Sequence, residues 1–297
     1  MTDFEPKQKE DFAAVYDLPD PRPYYRGLTA THYRMPEVVA GVIERITDRL
    51  LAHRAGDDRA LQVLDFACGF GAVGALLKHS LSMSSLYAHY ADDPSDGLEA
   101  REVDRAFYNQ YKRTTRPIKL TGVDIAPSAV GYAQALGLID TGFGVDLTQT
   151  VTPEVELSLS NIDLVVESGC IAGVLGDAFR TIHSMARNPW FIYCPRPDTD
   201  WSALEALWPS IDYVVESLSN QTVAYRRPLG RDEEQSVLQG AAEYGRPSEQ
   251  AINNGYIRVP IMLARSHEDA RAVPRAELAR LVRDLFTEPK ETGEFQQ

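Results

Sequence analysis

This 297-residue chain predicts an α/β fold built on a mostly parallel sheet, and three observations support that reading. The apolar run Val63–Phe66 leads into a glycine-rich turn and then a helix-forming stretch. The segment Lys119–Val130 repeats the strand-then-helix pattern, with Pro127 suited to a first helical turn. Further short apolar runs bounded by polar residues, Asn161–Glu167 and Trp190–Cys194, have the length of buried strands. The length suits one large domain with appendages, divided as a cap at 1–60 and a main domain at 61–297.

The elements follow in order. Pro19-Asp-Pro-Arg-Pro-Tyr24-Tyr25-Arg26 is proline-rich and expected to be extended. Pro36 then opens an amphipathic helix with Val39, Val42, Ile43, Ile46 and Leu50 as its buried stripe. The first strand ends in Asp65, and Gly69, Gly71 and Gly74 come next. A turn of this kind at a helix N-terminus lets a nucleotide-like cofactor lie against backbone.

The glycine spacing also satisfies the dinucleotide fingerprint, and Asp65 argues against that reading. In a dinucleotide unit its position points into the apolar sheet core. An unpaired carboxylate there costs several kcal/mol or is driven neutral. Asp65 makes better sense facing a polar ligand at the strand's carboxyl end.

The second strand ends in Asp124, where a carboxylate can accept hydrogen bonds from ribose hydroxyls. Asp124 lies 50 residues beyond Gly74, against about 20 in a simple nucleotide-binding unit. The excess is an insertion at about 79–117. It holds a turn at Asp92–Gly97 and a helix-like run Leu98–Arg113, whose apolar face is Val103, Ala106, Phe107 and Tyr111. A lid, a homodimer contact and plain packing are the three readings of it. Gly142–Leu147 reads as a third strand, Asn161–Glu167 as the fourth and Trp190–Cys194 as the fifth. Strands near Thr222–Arg227 and Tyr256–Ala264 are expected to form the antiparallel hairpin that closes the sheet.

Asp65-Phe-Ala-Cys-Gly69-Phe-Gly71 resembles motif I of the class I S-adenosylmethionine-dependent methyltransferases, with Ala67 at the family's first glycine. Gly122-Val-Asp124-Ile-Ala-Pro-Ser128 is similar to motif II. The opening segment and the insertion resemble a group of bacterial small-molecule methyltransferases. The resemblance implies a Rossmann-like three-layer sandwich, with a mostly parallel seven-stranded sheet and an antiparallel last strand. It implies S-adenosyl-L-methionine as cofactor, held by Asp65, Ala67, Gly69, Gly71, Asp124 and Ile125. By the same match, Asp146 meets the adenine amino group and Leu147 packs on the ring. Glu167, Ser168 and Cys170 face the methyl group, Cys170 on the acceptor side.

The family's segment before the first strand folds over the cofactor, so Tyr25 and Arg26 are expected at the substrate. Tyrosine faces can hold a sulfonium by cation–π attraction of about 0.5–2 kcal/mol. Methyl transfer needs alignment above all, and a base only for a protonated acceptor. Glu167 is the first candidate base, with His32 and Tyr33 behind it.

With 30 basic against 43 acidic residues the net charge is −13, and no basic stripe suited to nucleic acid is present. No histidine and cysteine spacing suggests zinc, and no Gly-x-Ser-x-Gly elbow occurs. No run approaches a membrane span, and three cysteines fit reduced thiols in a cytoplasmic protein. The polar tail from Glu288 on is expected to fray. The expected partner is a small-molecule acceptor. Two alternatives stay open: an idle methyltransferase fold that only binds, and an NAD(P)-dependent oxidoreductase.

Overall fold

The computed structural model describes Val15, 18–54, 59–92, 99–114, 117–169 and 172–286. The tail from Glu288, the Asp92–Gly97 turn beyond Asp92, and Cys170 lie outside the described residues.

Two helices precede the sheet, α1 (Arg22–Thr29) and α2 (Met35–Arg54). Strand β1 (Leu61–Phe66) leads through the glycine turn into α3 (Ala72–Lys78). Helices α4 (Met83–Ala91) and α5 (Ala100–Gln110) come before β2 (Ile118–Asp124), α6 (Pro127–Ala135) and β3 (Thr141–Gly144). Then follow α7 (Pro153–Leu159), β4 (Leu164–Glu167), α8 (Ala172–Met185), β5 (Trp190–Tyr193), α9 (Ser202–Ser210) and β6 (Tyr213–Ser217). The last part holds β7 (Val223–Arg226), α10 (Arg231–Glu243), α11 (Ser248–Ala251), β8 (Ile252–Asn253), β9 (Tyr256–Val259) and β10 (Met262–Ser266). Short helices at His267–Ala272, Arg275–Leu281 and Arg283–Phe286 complete it.

The main sheet has seven strands in the order β3-β2-β1-β4-β5-β10-β6. Its strands run parallel except β10, the last in the chain, which is antiparallel to both β5 and β6. Side chains alternate between two cores, as a two-residue period requires. Leu61 and Val63 of β1 pack with the α2 and α3 side, Leu64 and Phe66 with the α8 and α9 side. This is the three-layer α/β sandwich that the motifs imply. The predicted stripe of α2 is buried throughout, from Val39 to Leu50.

The sheet is not closed by the expected hairpin. Thr222–Arg227 does pair antiparallel with the start of Tyr256–Ala264, but in a separate sheet of order β7-β9-β8. Closure falls to β6 and β10, and β6 went unread in the sequence. The segment Tyr256–Ala264 divides at Pro260, which has no N–H to give a ladder and so ends β9 before β10 begins. Residues between β6 and β10 thus form a second excursion from the sheet, and it reaches the site described below.

The proline-rich opening is helical rather than extended. Prolines fall at the first turn of α1, where a missing N–H costs nothing. The Asp20 carboxylate accepts from the Arg22 amide at 3.0 Å and fixes the start.

The insertion leaves α3 and returns at one place. Ser80 N–H donates to Tyr111 O at 2.8 Å and Arg113 N–H to Lys78 O at 3.2 Å, around the His79–Lys112 bridge. Its α5 does not bury the expected face. Ala106 and Tyr111 are exposed, Val103 and Phe107 half-buried, and the fully covered side chains are Asp104 and Tyr108. Polar partners overrode the apolar period. Asp104 accepts from Arg22, from Tyr132 Oη at 2.9 Å, and bonds His89 Nε2 at 2.7 Å.

Candidate functional site

Strands β2, β1 and β4 lie side by side, and each carries a carboxylate at its last residue or the one before it. Asp65 is opposite Gly122 and Val166, while Asp124 and Glu167 close the flanking strands. The chain turns sharply after β1, with positive φ at Ala67 (57°), Gly69 (49°) and Gly71 (77°). Alanine in that region costs about 1–2 kcal/mol, so Ala67 carries local strain. Gly74 serves packing, since a Cβ there would collide with the Leu138 carbonyl.

The three acids differ in what they touch. Asp124 Oδ2 accepts the Gly69 amide at 2.8 Å and Oδ1 the Ala126 amide at 3.0 Å. Each oxygen keeps a further acceptor site. Glu167 is fully buried, with Oε1 held by the Gly169 amide and Oε2 by the Cys194 amide at 3.1 Å. Asp65 is also fully buried, and among the described residues neither of its oxygens has a hydrogen-bond partner. Burial first, then the negative charges of Asp124 and Glu167, holds its carboxyl well above the usual carboxylate range. Asp124 is raised by burial, against the amides of Ala126, Gly69 and Ile125 that favour its charged form. Burial also pushes up the Cys68 thiol in the turn, helped by Asp65 and Asp124.

Around this focus the expected residues separate. Ile125 stands 70% exposed directly after Asp124, an apolar face left open beside the carboxylate. Leu147 is not available for a ring, because it is buried in the core with Phe66, Val123 and Val155. Asp146 lies past the end of β3, where its Oδ1 accepts the Thr148 amide at 2.8 Å. Tyr33 Oη donates to the Ser168 carbonyl, so it clasps the loop after β4.

His32 diverges from its neighbour. Its left-handed backbone (φ 53°) turns the ring to Tyr256, with Nδ1 3.2 Å from that hydroxyl, on the small sheet. Burial and then the Arg227 charge lower its proton affinity. Arg26 is turned away as well. Its Nε donates to the Tyr90 and Ala91 carbonyls at the end of α4. Tyr25 stacks on Tyr90 at 4.4 Å, fully covered.

Two residues near the site escaped the sequence reading. Tyr225 Oη donates to Gly169 O at 3.3 Å, and its ring meets the Tyr33 ring at 5.3 Å. A Cβ on Gly169 (φ 136°) would strike both tyrosine hydroxyls. Phe70 of the glycine turn lies 5.6 Å from both Tyr24 and Tyr132, which ties the turn to α1 and α6. Neither has a sequence signal, since both depend on excursions meeting in space. A groove of about 570 Å³ lies elsewhere, beside β6 and lined by Trp201, Trp208, Tyr213 and Met262.

Among the described residues no cluster of histidine, cysteine and acidic side chains is arranged to hold a metal, and no helix is long and apolar enough to cross a membrane.

No protein-family model matches the chain, and no curated protein matches it. Solved structures do. A plantazolicin methyltransferase in complex with SAH is 11% identical, over 89% of this chain and 92% of that one, with a TM-score of 0.42. A TehB-like SAM-dependent methyltransferase from Corynebacterium glutamicum is 14% identical, over 73% and 86%, with a TM-score of 0.37. A magnesium protoporphyrin IX methyltransferase from Synechocystis with bound SAH is 12% identical, over 77% and 86%, with a TM-score of 0.36. At that distance no residue role is carried across from them.

Proposed function

We propose that this chain is an S-adenosylmethionine-dependent methyltransferase acting on a small-molecule acceptor. The observation that carries the reading is Asp65, buried without a donor between Asp124 and Glu167. An anionic pyrophosphate brought to this turn would meet three carboxyl groups. A nucleoside bearing a sulfonium and an ammonium supplies the positive charge that the cluster lacks.

The residues present suit that cofactor. Asp124 keeps acceptor sites for two ribose hydroxyls, and Ile125 offers the apolar face for an adenine. Asp146 Oδ2 is left for the adenine amino group while Oδ1 holds its own turn. Gly69 lets backbone approach the ligand without a Cβ, Ala67 adds only a methyl, and Gly71, where a Cβ would strike Ala133, lets the turn pack on α6. When bound, the cofactor would supply an electrophilic methyl carbon and a thioether leaving group for attack by the acceptor's lone pair.

This chain's own contribution is alignment. Glu167 holds the amides of Gly169 and Cys194, and Tyr33 and Tyr225 hold the carbonyls of Ser168 and Gly169. The loop after β4 is thereby fixed on both polar edges, as in-line displacement requires. Glu167 is proposed as the group that shapes this loop, not as the base, because both its oxygens already serve backbone. His32, against Tyr256, has no part in the proposal. The acidic surface balance favours a small acceptor over nucleic acid.

Calorimetry with S-adenosylhomocysteine and with NADH tests the reading. Binding of the first and not the second is expected, with loss of binding in Asp124→Ala. Affinity for NADH alone would overturn it. A labelled methyl donor offered with a metabolite panel then separates an enzyme from an idle fold.

A further inference from the structure

Three carboxyl groups share one end of the sheet, yet only two have hydrogen-bond donors. Glu167 accepts two backbone amides, and Asp124 accepts those of Gly69 and Ala126, which oppose the burial that raises it. Asp65 accepts none, and it is as deeply buried as Glu167. The charged groups that act on Asp65 are Asp124 from β2 and Glu167 from β4, both acidic. From its own turn, the Cys68 thiol is close enough for the Asp65 charge to raise it. Like charges at such a site cannot all ionise, so the group without donors is the one that keeps a proton.

That arrangement has a consequence for a ligand whose charge changes in the reaction. The methyl donor carries a sulfonium, and its product carries a neutral thioether in the same place. Their ribose, adenine and amino-acid groups are otherwise alike. A protonated Asp65 gains little from either. An ionised Asp65 is attracted to the ammonium that both carry, and to the sulfonium that the donor alone carries.

Resting on the cofactor assigned above, we propose that Asp65 lets this site tell donor from product by charge. Its proton leaves to solvent as the cationic donor binds, and it returns once transfer has left the neutral thioether. The returned proton restores the buried neutral carboxyl and removes the attraction, so product release is favoured. Asp65 is then a specificity-determining residue, and the reacting atoms need not touch it.

Titration calorimetry in two buffers of different ionisation enthalpy counts the protons released on binding. S-adenosylmethionine is expected to release more protons than S-adenosylhomocysteine from the same protein at the same pH. In Asp65→Asn the difference should vanish, since the amide cannot titrate. Equal counts for the two ligands in the unaltered protein would overturn the inference and leave the cofactor assignment standing. A difference that persists in Asp65→Asn would also overturn it, assigning the proton to the ligand's own amine or to Asp124. Should the variant fail to fold, the unaltered protein decides the question. Its preference for donor over product should grow with pH, approaching about tenfold per unit where Asp65 titrates. A preference that is flat across the neutral range refutes the proposal. Failure of both ligands to bind would instead remove the cofactor assignment, and this inference with it.

Discussion

Two aspartates in this molecule are equally buried and oppositely furnished. Asp104, in the insertion, is held by the Arg22 guanidinium at 2.9 Å, by His89 and by the Tyr132 hydroxyl. Asp65, at the end of β1, is held by nothing. Burial alone therefore does not reveal what an acidic side chain is for. The first closes a network that joins α1, α4, α5 and α6, where Tyr90 Oη also bonds Tyr132 Oη at 2.7 Å and Tyr108 Oη at 2.9 Å. The second is an unmet demand for positive charge, placed where the proposed cofactor would lie. A folded chain keeps such a demand only at a cost, which is the mark of a working site.

Exchanging the two side chains for neutral ones should give opposite results. Asp104→Asn removes the buried charge partner of Arg22, leaving it the half-buried Asp20, and is expected to destabilise by about 3–5 kcal/mol, read by urea unfolding. A loss below about 1 kcal/mol would show that the network is replaceable. Asp65→Asn should do the reverse and stabilise the ligand-free protein by on the order of 1 kcal/mol, while weakening donor binding by tenfold or more.

The pH dependence sharpens the contrast. The folded-state carboxyl of Asp65 is raised above its unfolded value, so the folded protein binds more protons there. Stability relative to Asp65→Asn should then fall as pH rises above the ordinary carboxylate range, and the two proteins should converge in acid. Parallel unfolding curves at all pH values would mean that Asp65 is solvated or partnered in solution.

Smaller effects are expected around the cluster. Ile125→Ser exposes no core and should leave the unfolding midpoint unchanged, while lowering cofactor affinity several-fold as seen by calorimetry. Ala67→Gly relieves a left-handed alanine and should stabilise by about 0.5–1 kcal/mol without loss of binding. If Ala67→Gly destabilises instead, the turn is not strained as drawn.

Much of the fold was legible because it is written in local patterns. Apolar runs ending in Asp65, Asp124 and Glu167 placed three adjacent strand ends, and the period of α2 placed its buried stripe. Where prediction failed, partners distant in sequence had the deciding part. Leu147 follows β3 as the motif requires, but Val155 and Phe66 draw it into the core. The second strand of the expected hairpin, Tyr256–Ala264, was read as continuous across Pro260, and the imino acid divided it between two sheets. The face of α5 was misjudged because hydropathy has no means of showing that Arg22, 82 residues away, would neutralise Asp104.

By itself, then, the sequence determined the α/β class, the bend after β1 and the acids that border it, since strand period and glycine chemistry act over a few residues. Tertiary structure alone decided which acids found donors, which tyrosines reached the loop after β4, and that His32 and Arg26 turned away from it. Solvation and pairing of a charge depend on every group within several ångströms, and only the assembled chain brings those groups together.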